Sequence, residues 1–343
     1  MLGTAVGDSI GLPAEGMSRQ RIKRFYHGEW RQRLVLKWGM VSDDTEHTIF
    51  VAQSLLAYSH SPPLFVKRLA WCLRFWLLAL PAGTGWATLR AIFKLWIGIS
   101  PLKSGVYSAG NGPAMRAAPI GAFFASEPEQ LENFIRLSTQ LTHKDPRAFI
   151  GAYTIAVLSA WIIREDPQKR PCPEELLTLL AVSGADEEWL AVVDTLSAAI
   201  RQDLTVADYA ASLGLSEGVS GYIYHTVPMV IYAWYQHFGD FEKTIKAVLD
   251  CGGDTDSTAA IAGALAGAVG GEKSIPEAWL SGIRDWPRGK KVLQRIADRL
   301  AEKNPEQTQR MVVHYFWPGV VVRNLFFLII VLFHGFRRLG PPY

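Results

Sequence analysis

The sequence is poor in cysteine, in net charge and in continuous basic stretches, and each scarcity removes a class of function. Three cysteines, Cys72, Cys172 and Cys251, are too few and too widely spaced for a disulfide framework or a CxxC metal site. Their odd, sparse number points to reduced thiols and a cytoplasmic protein. The formal net charge is +3 over 343 residues. No basic stripe with interleaved aromatics marks a nucleic-acid surface, so no stable nucleic-acid partner is expected. Charged residues make up 20% of the chain and apolar ones 49%, a balance that excludes disorder and supplies a sizeable core. Between Met1 and Asp8 there is no basic segment leading into an apolar run, so no signal peptide is expected.

What is present reads as helices joined by Gly/Pro-rich loops. Ile49, Ala52, Leu55 and Leu56 recur at helical spacing, as do Ile155, Leu158, Ile162 and Ile163. The segments Trp189–Ile200 and Val292–Leu300 behave in the same way. No strand alternation bounded by hairpin turns stands beside them. The pattern predicts an all-α fold. The run Leu69–Leu80 is nearly all apolar and is ended by Pro81 and Gly83. It is well short of the ~20 residues needed to span a bilayer, which predicts a buried or partner-facing helix.

Two acidic segments carry the chemistry. Ser42-Asp43-Asp44-Thr45 opens an amphipathic helix running through Leu56, and Gly252-Gly253-Asp254-Thr255-Asp256-Ser257 opens a small-residue helix, Thr258–Val269. Each puts carboxylates and hydroxyls at a helix start. Ordinary N-capping accounts for one such acceptor, and Asp43 with Glu46 has capping-box spacing. It does not account for several acceptors at each start. Four converging carboxylates repel one another unless a hard cation intervenes, and oxygen-only donors favour Mg²⁺ or Mn²⁺ over Zn²⁺. The ligand count suits two ions, with a bridging water as nucleophile. Two further segments stand out. In Gly7–Glu15, the glycines and Pro13 predict a turn that holds Glu15 over a cleft. Ser108-Ala109-Gly110-Asn111-Gly112 is a glycine-rich loop suited to a phosphate, although it lacks the Gly-Lys-Ser/Thr of a P-loop.

In this order the four segments resemble the pattern of the ADP-ribosylglycohydrolase family: G-D-x-x-G-x-x-x-E, S/T-D-D-T, G-N-G-x-x-M-R and G-G-D-T-D-[ST]. The resemblance spans most of residues 3–270. It implies a compact, single-domain all-α fold with a binuclear Mg²⁺ or Mn²⁺ site in a central cleft. Ser42, Asp43, Asp44, Asp254, Asp256 and Ser257 are the implied metal ligands. Glu15, Asp44 and Asp256 are the implied catalytic carboxylates, with Glu15 as general acid or base. Ser108, Gly110, Asn111 and Gly112 match the loop that grips ADP-ribose, and His143 matches a histidine near the ligand. Ser42 and Ser257 stand where some members have threonine, which keeps the hydroxyl oxygen.

The implied activity is metal-dependent hydrolysis that frees ADP-ribose from a modified protein or an ADP-ribose derivative, with arginine the first expected linkage. The rival readings are a non-catalytic ADP-ribose binder and a membrane-associated scaffold of the same fold. The resemblance gives a catalytic domain over residues 1–305 and leaves a hydrophobic extension, 306–343, outside it. In the extension, Val320–Phe333 is almost wholly apolar and Arg337-Arg338 follow. It reads either as an anchor on the cytoplasmic face of a membrane or as a helix packed on protein. Arg323 and Asn324 weigh against a simple span.

Overall fold

A computed structural model describes residues 1–165, 169–302 and 312–337 of the chain. Among the described residues the chain forms eighteen α-helices and three short 3-10 turns, with isolated β-bridges and no sheet. The expected all-α fold is what forms. Many starts follow from local chemistry. Asp145, Asp186, Thr205 and Asp240 accept a backbone N–H at their helix starts. Pro62, Pro128, Pro146 and Pro173 sit in first turns, where a missing N–H costs nothing.

Four helices are buried on nearly every face: Asp43–Tyr58, Pro146–Arg164, Ile223–Gln236 and Thr255–Gly270. Asp44 through Ala57 are all buried, so the helix expected to be amphipathic is central instead. A helix apolar around its whole circumference belongs in the middle of a core. The outer helices show the one-sided pattern. Pro62–Leu78 buries Leu69, Leu73 and Trp76 and exposes Trp71, Phe75 and Leu78.

The opening glycines do something other than make a turn. Leu2–Gly11 is a continuous helix, and the chain tightens only after it, at the 3-10 turn Leu12–Ala14. That helix lies against Thr255–Gly270 at a separation only glycine permits. A Cβ at Gly7 would stand 1.9 Å from the Ala259 carbonyl oxygen, and one at Gly3 would stand 2.0 Å from that of Gly263. The Thr255 hydroxyl donates to the Gly11 carbonyl at 2.8 Å and closes the lower end. This contact fixes Asp8 beside the late acidic helix start.

The C-terminal helix, Trp317–Arg337, packs on the body along one side through Val320, Arg323, Asn324, Phe327 and Ile330. Of the two readings of the extension, protein packing is present on that side. The boundary expected at 305/306 and Arg338 lie outside the described residues.

Gly7→Ala forces the two helices apart, since the clashing atom is backbone and cannot rotate away. It should cost ~3 kcal/mol or more by denaturant unfolding, at the upper end of overpacking effects. Gly214→Ala, a left-handed position with no neighbour within 4 Å, should cost ~1 kcal/mol. Equal losses for the two would refute the close-packing account.

Candidate active site

The site is assembled where the starts of Asp43–Tyr58 and Thr255–Gly270 meet the end of Leu2–Gly11. Asp8, fully buried, accepts the Ser42 backbone N–H at 2.9 and 3.0 Å and the Thr45 N–H at 3.2 Å. The Thr45 hydroxyl donates to it as well. One carboxylate therefore holds the whole Ser42–Thr45 turn in place. Burial pushes Asp8 up to about 6, with those hydrogen bonds pulling the other way.

Within the turn, the Ser42 hydroxyl caps its helix by accepting the Asp44 N–H at 3.3 Å, and it donates to Asp44 Oδ2 at 3.1 Å. The Ser257 hydroxyl reaches the same oxygen from the second helix start at 3.3 Å. Asp44 thus links segments that are about two hundred residues apart in sequence. Its other oxygen, Oδ1, is buried and has no hydrogen-bond partner.

On the second side, Gly252 and Gly253 adopt left-handed φ of 76° and 84°. A Cβ at Gly253 would lie 2.1 Å from the Val219 carbonyl oxygen, so the two backbones approach closely here. The Gly253 N–H and C=O both pair with the Ala14–Met17 segment, and the Asp254 N–H donates to Val219 O at 2.7 Å. Glu15 follows the 3-10 turn, with its side chain exposed.

The electrostatics of the cluster are unbalanced. Burial, then the charges of Asp8, Glu46 and Glu15, hold Asp43 well above the usual carboxylate range. Burial, then Asp43, Asp8 and Asp254, do the same to Asp44. Asp256 is raised by burial and then by Glu15, Asp254, Asp44 and Asp8. Glu15 therefore stands within electrostatic reach of both helix starts. Among the described residues, no three His, Cys, Asp or Glu side chains gather tightly enough to hold a metal ion unaided. The fit to a cation rests on the oxygen-only donors, the carboxylates raised by burial and by neighbouring charge, and the unpartnered Asp44 Oδ1.

The glycine-rich loop joins the cluster through Asn111, whose amide donates to Asp254 Oδ2 at 2.7 Å and to the Thr226 hydroxyl at 3.0 Å. The Ser108 hydroxyl accepts the Gly110 N–H at 3.3 Å. The His143 ring lies against the loop, its atoms 3.2 Å from where a Cβ would stand at Gly110 or Gly112. Burial, and secondarily Arg116, push His143 down to about 3, which keeps the ring uncharged. Arg116 is fully buried, donates to Ser138 and Thr142 and lies 3.2 Å from His47 Nδ1, so it ties the segment before His143 to the Asp43–Tyr58 helix.

The structure thus brings together Ser42, Asp43, Asp44, Asp254, Asp256 and Ser257, with Glu15 at their edge, and places Asn111 and the His143-backed loop alongside. Three residues were missed from sequence. Asp8 had a signal, a lone carboxylate inside an apolar helix. Asp285 had none, and Arg323 was marked only as a polar residue in the apolar extension. Asp285 accepts the Val41 N–H at 3.0 Å, and Arg323 donates to the Val41 carbonyl and pairs with Asp285. The residue before Ser42 is therefore clamped on both backbone groups. Glu46 is no capping-box partner either. It is buried against Arg288, with Arg323 at 3.7 Å and the Trp76 indole donating to it.

Fold and site define an all-helical protein with an acidic centre built from two helix starts and faced by a glycine-rich loop. The chain belongs to the ADP-ribosylglycohydrolase family, which it matches over residues 1–310. It is 32% identical over 308 residues to an uncharacterized protein of Archaeoglobus fulgidus, covering 88% of this chain and 94% of that one. It is 28% identical to the ADP-ribosyl-[dinitrogen reductase] glycohydrolase of Rhodospirillum rubrum, covering 82% and 87%. A solved structure, an ADP-ribosylglycohydrolase-related protein complex, superposes with a TM-score of 0.63 at 25% identity, covering 88% of this chain and 93% of that chain. The Arg323 clamp lies beyond the matched residues.

Arg323→Met leaves Asp285 and the Val41 carbonyl buried without their cation. It should cost ~3–5 kcal/mol of stability, as loss of one partner from a buried pair does. Hydrogen exchange at the Val41–Thr45 amides should quicken while the Ile155–Ile162 amides keep their protection. Unchanged exchange at Val41–Thr45 would show that the clamp does not hold the turn.

Proposed function

We propose that the protein is a metal-dependent hydrolase that releases ADP-ribose from modified protein side chains, with arginine the first linkage to test. The observation that carries this is the shared Asp44 oxygen, held by hydroxyls from both acidic helix starts, beside a carboxylate oxygen with no protein partner. The Rhodospirillum rubrum relative, named for glycohydrolase action on ADP-ribosyl-[dinitrogen reductase], supports the substrate class.

Ser42, Asp43, Asp44, Asp254, Asp256 and Ser257 would hold two Mg²⁺ or Mn²⁺ ions, with waters and substrate hydroxyls completing the shells. Bound there, the ions would neutralise the crowded carboxylates and make water a nucleophile at neutral pH. The chain's own residues do the rest. Asp8 keeps the Ser42–Thr45 turn rigid, so the ligand oxygens need little reorganisation. Asn111 orients Asp254 by donating to one of its oxygens. The Ser108–Gly112 loop and neutral His143 offer uncharged hydrogen-bonding groups to the diphosphate and ribose.

In the reaction, a water oxygen bonds to the anomeric carbon as the bond from that carbon to the side-chain nitrogen breaks. The electron pair leaves with the nitrogen, which takes up a proton. Glu15, the exposed carboxylate at the edge of the cluster, would accept the proton lost by the water and pass it to the departing nitrogen, so that the step balances.

The test is incubation with arginine- and serine-ADP-ribosylated proteins in Mg²⁺, Mn²⁺ or EDTA, following free ADP-ribose. Release should require the cation and fall by more than ~100-fold in Asp254→Asn. Release that survives both EDTA and Asp254→Asn would refute the metal-dependent reading. ADP-ribose binding without any release would leave a binding protein.

A further inference from the structure

Arg323, Asn324 and His334 of the C-terminal helix all find their polar partners on the side that faces the body. Arg323 pairs with Asp285, and the Asn324 amide donates to the Ala79 carbonyl at 2.8 Å. His334 Nε2 lies 2.7 Å from the Leu34 carbonyl oxygen. Its other side is a stripe of exposed apolar residues at helical spacing: Val322, Leu325, Phe326, Ile329, Phe333 and Phe336. Water-facing helix surfaces are normally polar, and a contiguous apolar surface of this kind marks an interaction site. The stripe continues onto the body at both ends. Leu36, 86% exposed, lines a groove with Phe326, Ile329 and Phe333. Exposed Phe75 extends it at the other end, where its ring meets Trp317 edge-on at 6.0 Å beside exposed Trp71.

The charge around this surface has one sign. Residues 47–126 contain no Asp or Glu, nor do residues 312–343. Over the first stretch, exposed or half-exposed Lys67, Arg68, Arg74, Arg90, Lys94 and Lys103 are set among exposed tryptophans. Arg31 and Arg33 line the groove beside Leu36, and exposed Lys37 follows it. A second copy of the chain docked through this face would bring basic against basic about a two-fold axis. An anionic lipid surface complements both features: apolar side chains enter the acyl boundary, tryptophans sit at headgroup level, and Lys and Arg meet the phosphates.

We propose that the outer face of the C-terminal helix, with the adjoining Leu36 and Phe75–Trp71 surfaces, docks the protein on a bilayer of anionic lipid. The helix lies along the membrane plane while Arg323 and Asn324 remain bound to the body. It does not cross the bilayer. This rests on surface composition alone and is independent of the catalytic reading.

The full chain is tested by flotation with vesicles of phosphatidylcholine alone or mixed with phosphatidylglycerol, alongside light scattering for oligomeric state. It should float with the mixed vesicles and remain behind with the neutral ones. Phe326→Glu/Phe333→Glu should weaken flotation by ~100-fold. Arg31→Glu/Lys37→Glu should weaken it by ~10-fold or more. All four side chains are exposed, so circular dichroism should show both variants folded. Failure to float with anionic vesicles, or flotation that neither variant alters, would overturn the proposal. So would a dimer that the Phe variant dissolves in the absence of any vesicle binding.

Discussion

Burial holds four carboxylates, Asp8, Asp43, Asp44 and Asp256, above the usual range, and for the last three the charges of neighbouring carboxylates add to it. That crowding is the constraint around which the molecule is arranged. Burial of a charge is expensive unless a partner or a bound cation offsets it. Asp8 is offset by three donors from a single turn. The other three have fewer donors, and one Asp44 oxygen has none. A chain under no functional demand has no reason to gather these groups in its interior, since structural capping needs only one acceptor at each helix start.

The rest of the fold supplies the rigidity that such a cluster requires. Leu2–Gly11 and Thr255–Gly270 meet backbone to backbone, which sets Asp8 and Asp256 in fixed relation. The Ser42–Thr45 turn is held by Asp8 from one side and, through Val41, by Asp285 and Arg323 from the other. Because Arg323 sits on the C-terminal helix, a segment beyond the family match is built into the support of the acidic turn. The same helix presents its apolar outer face to solvent, so the surface proposed for lipid docking and the site share one rigid element.

Much of this was legible in the sequence. Helical spacing gave the all-α class, and the acidic segments marked both helix starts because carboxylates and hydroxyls are rare in such density at a cap. The glycines of the opening segment were visible but misread. Gly7 and Gly11 look like turn residues until Thr255–Gly270 is brought against them, and that contact is between segments far apart in the chain. The central position of Asp43–Tyr58 was hidden for a similar reason. A helix covered on all sides and one with a single apolar face share the same i, i+3, i+4 recurrences. Asp285 could not be read at all, and Arg323 stood out only as a polar residue in an apolar run. Each is an ordinary charged residue until the fold pairs it, and no local pattern marks a clamp whose target is a backbone group at Val41.

The central claim is that the acidic helix starts form a cation site, and diffraction from crystals grown in Mn²⁺ tests it most directly. Anomalous peaks between the Ser42–Asp44 and Asp254–Ser257 segments, one of them within ligand distance of Asp44 Oδ1, are the result this account predicts. Well-ordered carboxylates at that place, with no anomalous density beside them at saturating Mn²⁺, would contradict it.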